Sequence, residues 1–313
     1  MKRILELLGL RQSKDRDPGA ARHTVYVRSS LDGAKQPCVF IPATGNGPRP
    51  LLVYLHPWRH GYDTDSRRWQ AEARARDWHF IAPHFRGPNK RPEACASKLA
   101  RRDVIDAVDF VKEKHAIDVQ RIYAGGVSGG AHMALVMAAE APGLWAGVSA
   151  WCAVTDLAKF YQECVDQGSK AYRHIVKVCG GVPGSSPKAD EELRFRSPLF
   201  HMAKAKDVPL DINHGIRDGQ PKGIGIQHSI WAFNAVAEAR HDAVVSQKEI
   251  DRLLRFGNRE SGAGVREHEA GENYGRAIYL RRASGTCRLT IFDGGHEDLP
   301  AAACAWLAHR ERA

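Results

Sequence analysis

Apolar runs that suit buried strands alternate with stretches of helical periodicity along the first half of the chain. Residues 51–55 are continuously apolar, which is typical of a strand buried on both faces of a sheet. Residues 98–115 instead place Val104, Ile105 and Val108 at helical spacing. The full alternation comprises predicted strands at residues 24–27, 37–41, 51–55, 80–82, 122–124 and 147–151, and predicted helices at residues 66–77, 98–115 and 131–140. Strands that alternate with helices predict parallel strands joined by right-handed crossovers, and hence an α/β fold.

A segment in the middle of the chain interrupts this alternation. Residues 155–206 lack a clear core strand, and we predict that they form a helical cap over the sheet. Residues 1–22 are rich in charge and predict a loosely held N-terminal arm. Residues 23–313 are therefore predicted to be a single domain that carries the cap as an insertion.

A second predicted insertion covers residues 242–284. It contains a helix that opens with a capping box from Ser246 to Glu249. A loop rich in glycine, glutamate and arginine follows at residues 257–275, and we expect this loop to be mobile.

The composition is that of an ordinary globular protein, because 26% of the residues are charged and 43% are hydrophobic. The net charge of +10 is compatible with nucleic-acid binding. The basic residues, however, are scattered and not interleaved with aromatic residues, and no nucleic-acid module is recognisable. We expect no nucleic-acid partner; a mildly basic surface favours anionic substrates instead.

No stretch of the sequence approaches the roughly 20 apolar residues needed to cross a membrane, so we expect no membrane partner. Residues 4–10 are too short for a signal-peptide core and include Glu6. The sequence as it stands predicts a cytoplasmic protein, or a periplasmic or secreted one if a leader has been removed. Nothing in it indicates an oligomeric state.

The seven cysteines are scattered and include no Cys-x-x-Cys pair. We therefore expect no zinc site, and no other metal or cofactor. Cys164 and Cys179 fall in one connecting region, and two alternatives stay open for them. They form a disulfide if the compartment is oxidising, or they are two buried free thiols.

The most informative motif is a G-x-S-x-G run at residues 126–130, between a predicted strand and a predicted helix. At such a turn the flanking glycines leave room for a strained serine, here Ser128, whose hydroxyl stands clear of the backbone. The helix that starts behind it favours negative charge nearby. This pattern predicts a serine nucleophile; the alternative is a glycine-rich turn with an incidental serine.

A serine nucleophile requires a base, and the base requires an acid that holds its tautomer. Asp218 follows a predicted buried strand, and His296 follows a later one in a glycine-rich loop. Singly, Asp218 is compatible with a turn former and His296 with an exposed loop residue. The order Ser128, Asp218, His296, each just past a strand end, predicts a catalytic triad. Asp156 is the alternative acid.

The oxyanion hole needs backbone N–H donors near the nucleophile. Gly129, directly after the serine, supplies one. The loop after the strand at residues 51–55 supplies the other, and Trp58 is its candidate because Pro57 has no N–H. His56 closes that strand, and we expect it to brace the loop and not to act as the base.

These motifs resemble the α/β-hydrolase superfamily, and within it the prolyl-oligopeptidase-like serine hydrolases and bacterial carbohydrate esterases. The resemblance runs from about residue 24 to the C-terminus and lies in residues 55–58, 82–89, 126–130, 197–199 and 294–297. It implies a mostly parallel, eight-stranded sheet flanked by helices, with the active site at the strand ends. The sequence departs from the family at residues 56–58, where relatives commonly have His-Gly-Gly, and in the long separation of Asp218 from His296.

The resemblance and the triad together predict a serine esterase acting on a small-molecule or oligosaccharide ester, preferably an acetyl, methyl or aromatic ester of a plant-type polysaccharide. His56, Arg86 and Tyr161 are the predicted substrate-binding residues. Aromatic residues of the cap and of the loop after residue 55, namely Trp58, Tyr62, Phe160 and Tyr161, either stack on sugars or pack as core, and arginines meet uronic acids. One alternative is a small serine peptidase or aminoacyl hydrolase, for which the sequence reveals no acidic pair near Ser128. The β-propeller that restricts true oligopeptidases has no room before residue 24, which counts against a dedicated peptidase. The other alternative is a catalytically silent hydrolase fold used for binding.

Overall fold

The computed structural model describes residues 22–257 and 274–312, together with a short N-terminal strand. Within these residues, ten strands form one sheet. They are β1 (Arg11–Gln12), β2 (His23–Arg28), β3 (Lys35–Ile41), β4 (Arg49–Leu55), β5 (His79–Pro83), β6 (Ile117–Val127), β7 (Gly147–Trp151), β8 (Leu210–Gly215), β9 (Ile278–Ser284) and β10 (Cys287–Phe292).

The strands lie in the order β1-β2-β3-β5-β4-β6-β7-β8-β10-β9. The six strands from β5 to β10 in this order are mutually parallel. Strands β1 to β3 extend one edge in antiparallel fashion, and β9 closes the other edge antiparallel to β10. The fold is an α/β-hydrolase fold, as predicted, but the expected count of eight strands was wrong. Strand β9 arises from the end of the predicted second insertion, and β1 from the predicted arm.

Nine α-helices lie within the described residues. They are α1 (Arg67–Ala75), α2 (Lys98–Lys114), α3 (Gly129–Glu140), α4 (Leu157–Asp166), α5 (Tyr172–Cys179), α6 (Pro187–Arg196), α7 (Gln227–Ala239), α8 (Gln247–Gly257) and α9 (Pro300–Leu307). Helices α2, α3, α7 and α8 contribute to the hydrophobic core on one face of the sheet, and α1 and α9 to the core on the other.

Strand β4 shows why its sequence is continuously apolar. Side chains of a strand point alternately to opposite faces of the sheet. Leu51, Val53 and Leu55 accordingly enter the core beneath α2 and α3, whereas Leu52 and Tyr54 enter the core beneath α1 and α9. Both faces of the strand are covered by helices, so neither can carry polar side chains.

Residues 155–206 contain α4, α5 and α6 and end in a 3-10 helix, Pro198–Ala205. A third hydrophobic cluster joins these helices to the loop after β4 through Trp58, Phe160, Ile175 and Leu193. The 3-10 helix returns the chain to the main core, where it packs on α3 and α7. The predicted cap segment is therefore helical and lies against the loop that carries the candidate oxyanion donor.

The predicted capping box before α8 is confirmed. The Ser246 N–H donates to Glu249 Oε2 at 2.9 Å, and the Glu249 N–H donates to Ser246 Oγ at 3.3 Å. The predicted mobile loop at residues 257–275 and the N-terminal arm fall almost entirely outside the described residues.

All seven cysteines are buried free thiols, so Cys164 and Cys179 do not form a disulfide in this structure. Among the helices of the described ranges, none has both the length and the apolar character needed to span a bilayer.

Candidate active site

Ser128 occupies a sharp turn between β6 and α3. Its backbone has φ 60° and ψ −121°, a conformation that costs energy for any residue with a Cβ. The neighbouring glycines make the turn possible. A Cβ on Gly126 would lie 2.6 Å from the Leu55 carbonyl oxygen, and one on Gly130 would lie 2.0 Å from the same atom. The chain therefore permits a side chain at Ser128 and forbids one at both flanking glycines.

His296 and Asp218 form a hydrogen-bonded pair at the ends of two adjacent strands, β10 and β8. His296 Nδ1 lies 2.7 Å from Asp218 Oδ2. A carboxylate only accepts hydrogen bonds, so Nδ1 carries the proton and Nε2 is left as a base. Burial would lower the pKa of His296, but the hydrogen bond and charge of Asp218, aided by the charge of Asp298, raise that pKa above its ordinary value.

Asp218 is held on both carboxylate oxygens. Its Oδ1 accepts the N–H groups of Gly219 and Ile224 at 2.9 and 3.0 Å, and its Oδ2 accepts His214 Nε2 at 3.1 Å in addition to His296. Burial would raise the pKa of Asp218, yet the hydrogen bonds from the two histidines hold it well below its usual range. The acid is therefore ionised and fixed in position.

His214 is a site residue that the sequence analysis missed. Its side chain is fully buried, and Nε2 lies 2.9 Å from the Ile224 carbonyl oxygen and 3.1 Å from Asp218 Oδ2. Both partners are acceptors, so Nε2 carries a proton, and the Ser229 hydroxyl completes the set 2.7 Å from Nδ1. His214 thus supports the acid through Oδ2, the same carboxylate oxygen that contacts His296. The available signal was a histidine on the core-facing side of a buried strand, four residues before an aspartate.

Ser128 and His296 line one cavity of about 560 Å³, together with Trp58. No hydrogen bond joins Ser128 to His296 in the described part of the chain. Catalytic hydrogen bonds often form only once substrate is bound, so a serine and a histidine that are not yet hydrogen-bonded are compatible with the predicted roles. Further walls of the cavity come from the loop after β4, from the cap and from the loop after Asp218; they include Pro57, Arg59, His60, Phe160, Cys164, Gln167, Ser169, Ala171, Lys222, Gly223 and Ile224.

The backbone of Trp58 touches the start of α3. A Cβ on Gly129 would lie 2.5 Å from the Trp58 nitrogen, so only glycine allows this approach. The Trp58 carbonyl faces away and accepts the Asn89 N–H at 2.9 Å. Within the described ranges, neither Trp58 nor Gly129 donates its N–H to another protein group. The two predicted oxyanion donors therefore lie side by side next to Ser128 and are both available to a ligand.

The predicted substrate-binding role of His56 does not fit its position. The ring is buried, its Nε2 lies 2.9 Å from the His84 carbonyl oxygen, and it stacks on Phe85 with centroids 3.9 Å apart. Burial lowers the pKa of His56 to about 4. The residue braces the loop and is closed off from the cavity.

Arg86 and Tyr161 are also corrected by the structure. Arg86 is buried in ion pairs with Asp103 at 2.6 Å and Asp32 at 2.7 Å, which fix the N-terminal strands to α2. Tyr161 is half-buried edge-to-face against Tyr172, and neither Arg86 nor Tyr161 lines the cavity. The aromatic residue of α4 that does line it is Phe160, one position earlier.

Asp156, the alternative acid, lies elsewhere. It caps α4, and its Oδ1 accepts the Ala158 N–H at 2.9 Å. Cys152, His214 and Asp218 have possible metal-ligating atoms within 4.8 Å of one another. Hydrogen bonds already engage His214 and Asp218 in that cluster, and burial raises the pKa of the Cys152 thiol well above its ordinary value. The geometry therefore favours hydrogen bonding by His214 and Asp218 over metal binding by this cluster.

Two carboxylates line the cavity beside His296, which the sequence did not reveal. Glu297 Oε1 pairs with Arg276 at 2.6 Å, and Asp298 Oδ2 accepts the Trp69 indole N–H at 2.7 Å. Burial raises the pKa of Asp298 above its ordinary value. Both acids are thus engaged by other side chains of the protein.

The sequence pattern of the prolyl oligopeptidase family matches residues 66–239, more than half of the 313-residue chain. The chain is 22% identical over 265 residues to acylamino-acid-releasing enzyme 1 of Oryza sativa subsp. japonica. The matched region covers 72% of this chain and 32% of that enzyme. It therefore spans about a third of the length of this relative.

Two examples illustrate the solved structures that share the fold. One is a puromycin-hydrolyzing peptidase of Mycobacterium tuberculosis, with a TM-score of 0.56 and 14% identity over 78% of this chain and 39% of that one. The other is acetyl xylan esterase 1 from Thermoanaerobacterium sp. JW/SL YS485, with a TM-score of 0.55 and 16% identity over 72% of this chain and 77% of that one.

Proposed function

Because this chain belongs to the prolyl oligopeptidase family and is a serine hydrolase, we propose that it hydrolyses carboxylic esters of carbohydrates through a covalent acyl-enzyme. Ser128 is the nucleophile, His296 the general base and acid, and Asp218 the residue that orients His296. The family assignment sets aside the alternative of a catalytically silent binding protein. The observation that carries the ester proposal is the charge arrangement of the cavity.

The mechanism follows from the proton positions. His296 Nε2 takes the proton of Ser128 Oγ as that oxygen attacks the ester carbonyl carbon. The backbone N–H groups of Gly129 and Trp58 stabilise the oxyanion. When the intermediate collapses, Nε2–H protonates the departing alcohol. A water molecule then loses a proton to Nε2 and attacks the acyl-enzyme, which releases the carboxylic acid and restores Ser128.

The cavity is a poor receptor for a substrate ammonium group. An aminopeptidase needs an unengaged acid near the nucleophile to pair with the substrate's amine. Glu297 and Asp298 are the acids that line the cavity, and both are already held: Glu297 pairs with Arg276, and Asp298 pairs with Arg68 at 3.6 Å and accepts the Trp69 indole N–H. This arrangement supports an ester over a peptide with a free N-terminus.

The carbohydrate part of the proposal has two supports. Trp58 and Phe160 line the cavity and offer apolar surface of the kind that packs against sugars and acyl groups. The structural neighbour acetyl xylan esterase 1 is matched over most of its length. A peptidase remains the second candidate function, because the family is named for an oligopeptidase and the rice relative for the release of acylamino acids.

A substrate panel tests the choice. It contains p-nitrophenyl esters, acetylated and feruloylated oligosaccharides, N-acylated peptides and aminoacyl amides, each assayed with the wild type and with Ser128→Ala. We expect esters to have the highest kcat/KM and the variant to hydrolyse none of them. Turnover of an amide faster than every ester would make the protein a peptidase and overturn the proposal.

A further inference from the structure

The cavity beside Ser128 holds two cationic side chains that the hydrolytic mechanism does not use. Arg59 and Lys222 line it, and both are exposed. Within the described residues, neither makes an ion pair or a side-chain hydrogen bond. The two acids of the same cavity are each paired with an arginine, Glu297 with Arg276 at 2.6 Å and Asp298 with Arg68 at 3.6 Å. The charge that remains for a ligand is therefore positive.

The position of Lys222 is fixed by the catalytic acid and by the cap. On the two sides of Lys222, the N–H groups of Gly219 and Ile224 donate to Asp218 Oδ1. The adjacent Gly223 N–H donates to Gln167 Oε1, directly after α4, at 3.0 Å. The loop that presents Lys222 is thus tied to both walls of the cavity, so the backbone from which its ammonium extends is pre-positioned.

Arg59 lies in a different loop from Lys222, the loop after β4, where it directly follows Trp58. Its charge acts on the cap, because Arg59 lies among the cations that, after burial and together with Lys90 and Lys177, lower the pKa of His174. Arg59 and Lys177 of α5 thus both place positive charge near His174 of the cap. Positive charge of this kind attracts an anionic ligand.

We propose that Arg59 and Lys222 form a carboxylate subsite, so that the preferred substrates are esters that also carry a carboxylate. The inference rests on the proposed esterase function and names its substrate class. The Arg59 guanidinium can donate two parallel hydrogen bonds to a carboxylate, while the Lys222 ammonium supplies a second point charge. The apolar wall formed by Trp58 and Phe160 accommodates the uncharged part of the same molecule.

The test uses matched ester pairs that differ only in charge. For the acyl side, the pair is p-nitrophenyl hydrogen adipate and p-nitrophenyl methyl adipate, since a shorter chain such as succinate lets the free carboxylate expel p-nitrophenol without the enzyme. For the alcohol side, it is an O-acetylated glucuronic acid and its methyl ester. Two exposed ion pairs predict a kcat/KM about 3-fold to 30-fold higher for the acid in one of the two pairs at low salt. The ratio should approach one in about 1 M salt, because the Debye length is then only about 3 Å.

The variants Arg59→Gln and Lys222→Gln should each lower the ratio of acid to methyl ester, and the double variant should remove the preference. Lys188→Gln is the matched control, since Lys188 is equally exposed but lies on α6 outside the cavity. Equal kcat/KM values within both pairs for the wild type, or an equal loss in Lys188→Gln, would overturn the subsite.

A second readout separates the subsite from the esterase proposal. Succinate should slow fluorophosphonate labelling of Ser128 more than succinamide does, and the difference should vanish in the double variant. If no ester is turned over but this protection is seen, the esterase proposal fails and the carboxylate subsite stands. If esters are turned over without charge preference and succinate gives no protection, the subsite fails alone.

Discussion

Asp218→Asn replaces the acid of the triad with an isosteric amide and tests how the protons are arranged. Asp218 receives four N–H donors, two on each oxygen. An asparagine has one oxygen and one NH₂ group, so it can accept on one side only. The backbone N–H groups of Gly219 and Ile224 cannot change their protonation, and they will hold the amide oxygen on their side.

The amide NH₂ then faces His296, and the histidine must accept at Nδ1. Its proton moves to Nε2, the atom that has to take the proton of Ser128. The base is therefore blocked, although the fold is kept. Triads with this change lose about 10⁴-fold in kcat, which corresponds to about 5 kcal/mol of transition-state stabilisation. His214 keeps the Ile224 carbonyl as a partner, so the stability loss should stay within about 1–3 kcal/mol.

The assay is kcat for p-nitrophenyl acetate between pH 6 and 9, with circular dichroism and thermal unfolding as checks of the fold. Asp156→Asn is the control, because asparagine caps a helix as well as aspartate does and Asp156 has no contact with His296. A folded Asp218→Asn protein that keeps kcat within tenfold of the wild type would refute the reasoning. So would a loss of turnover in Asp156→Asn.

Three further predictions each rest on a single feature of the structure. Because only neutral His296 is a base and its pKa is raised, kcat/KM should rise with pH and reach half its maximum above pH 6.5; a midpoint below 6.5 in a pH–rate profile would contradict this. Gly129→Ala should lower kcat about 10²–10³-fold by displacing an oxyanion donor, whereas Gly143→Ala, with open space around its Cα, should be neutral in the same assay. Arg86→Leu should lower the free energy of unfolding by about 3–5 kcal/mol, because it leaves the buried Asp103 unpaired, and should leave KM unchanged; urea titration with steady-state kinetics would expose a substrate-binding role as a raised KM with normal stability.

The fold was predictable to the extent that it depends on local periodicity. The continuous apolar run of β4 and the helical spacing in α2 both correspond to elements of the structure. The strand count was not predictable, because β9 is amphipathic and lies at a sheet edge, where its only strand partner in the described chain is β10. Edge strands carry half of the burial signal that central strands do.

The site was predictable where residue type and position past a strand end coincide. Ser128, Asp218 and His296 meet that condition, and the structure brings the last two into contact. Arg86 was misassigned because a single sequence does not distinguish an arginine in a buried ion pair from an exposed arginine that binds an anion. The acids Asp32 and Asp103 that engage it lie far from it along the chain, so only the fold reveals the pairing.

Covalent labelling tests the central claim, that Ser128 is the nucleophile, most directly. The folded protein is treated with a fluorophosphonate probe and the adduct is located by peptide mass spectrometry. We predict one adduct, on Ser128, that is absent from Ser128→Ala and retained in Ser169→Ala, which removes another serine of the same cavity. An adduct on a different residue, or labelling that persists in Ser128→Ala, would contradict the assignment.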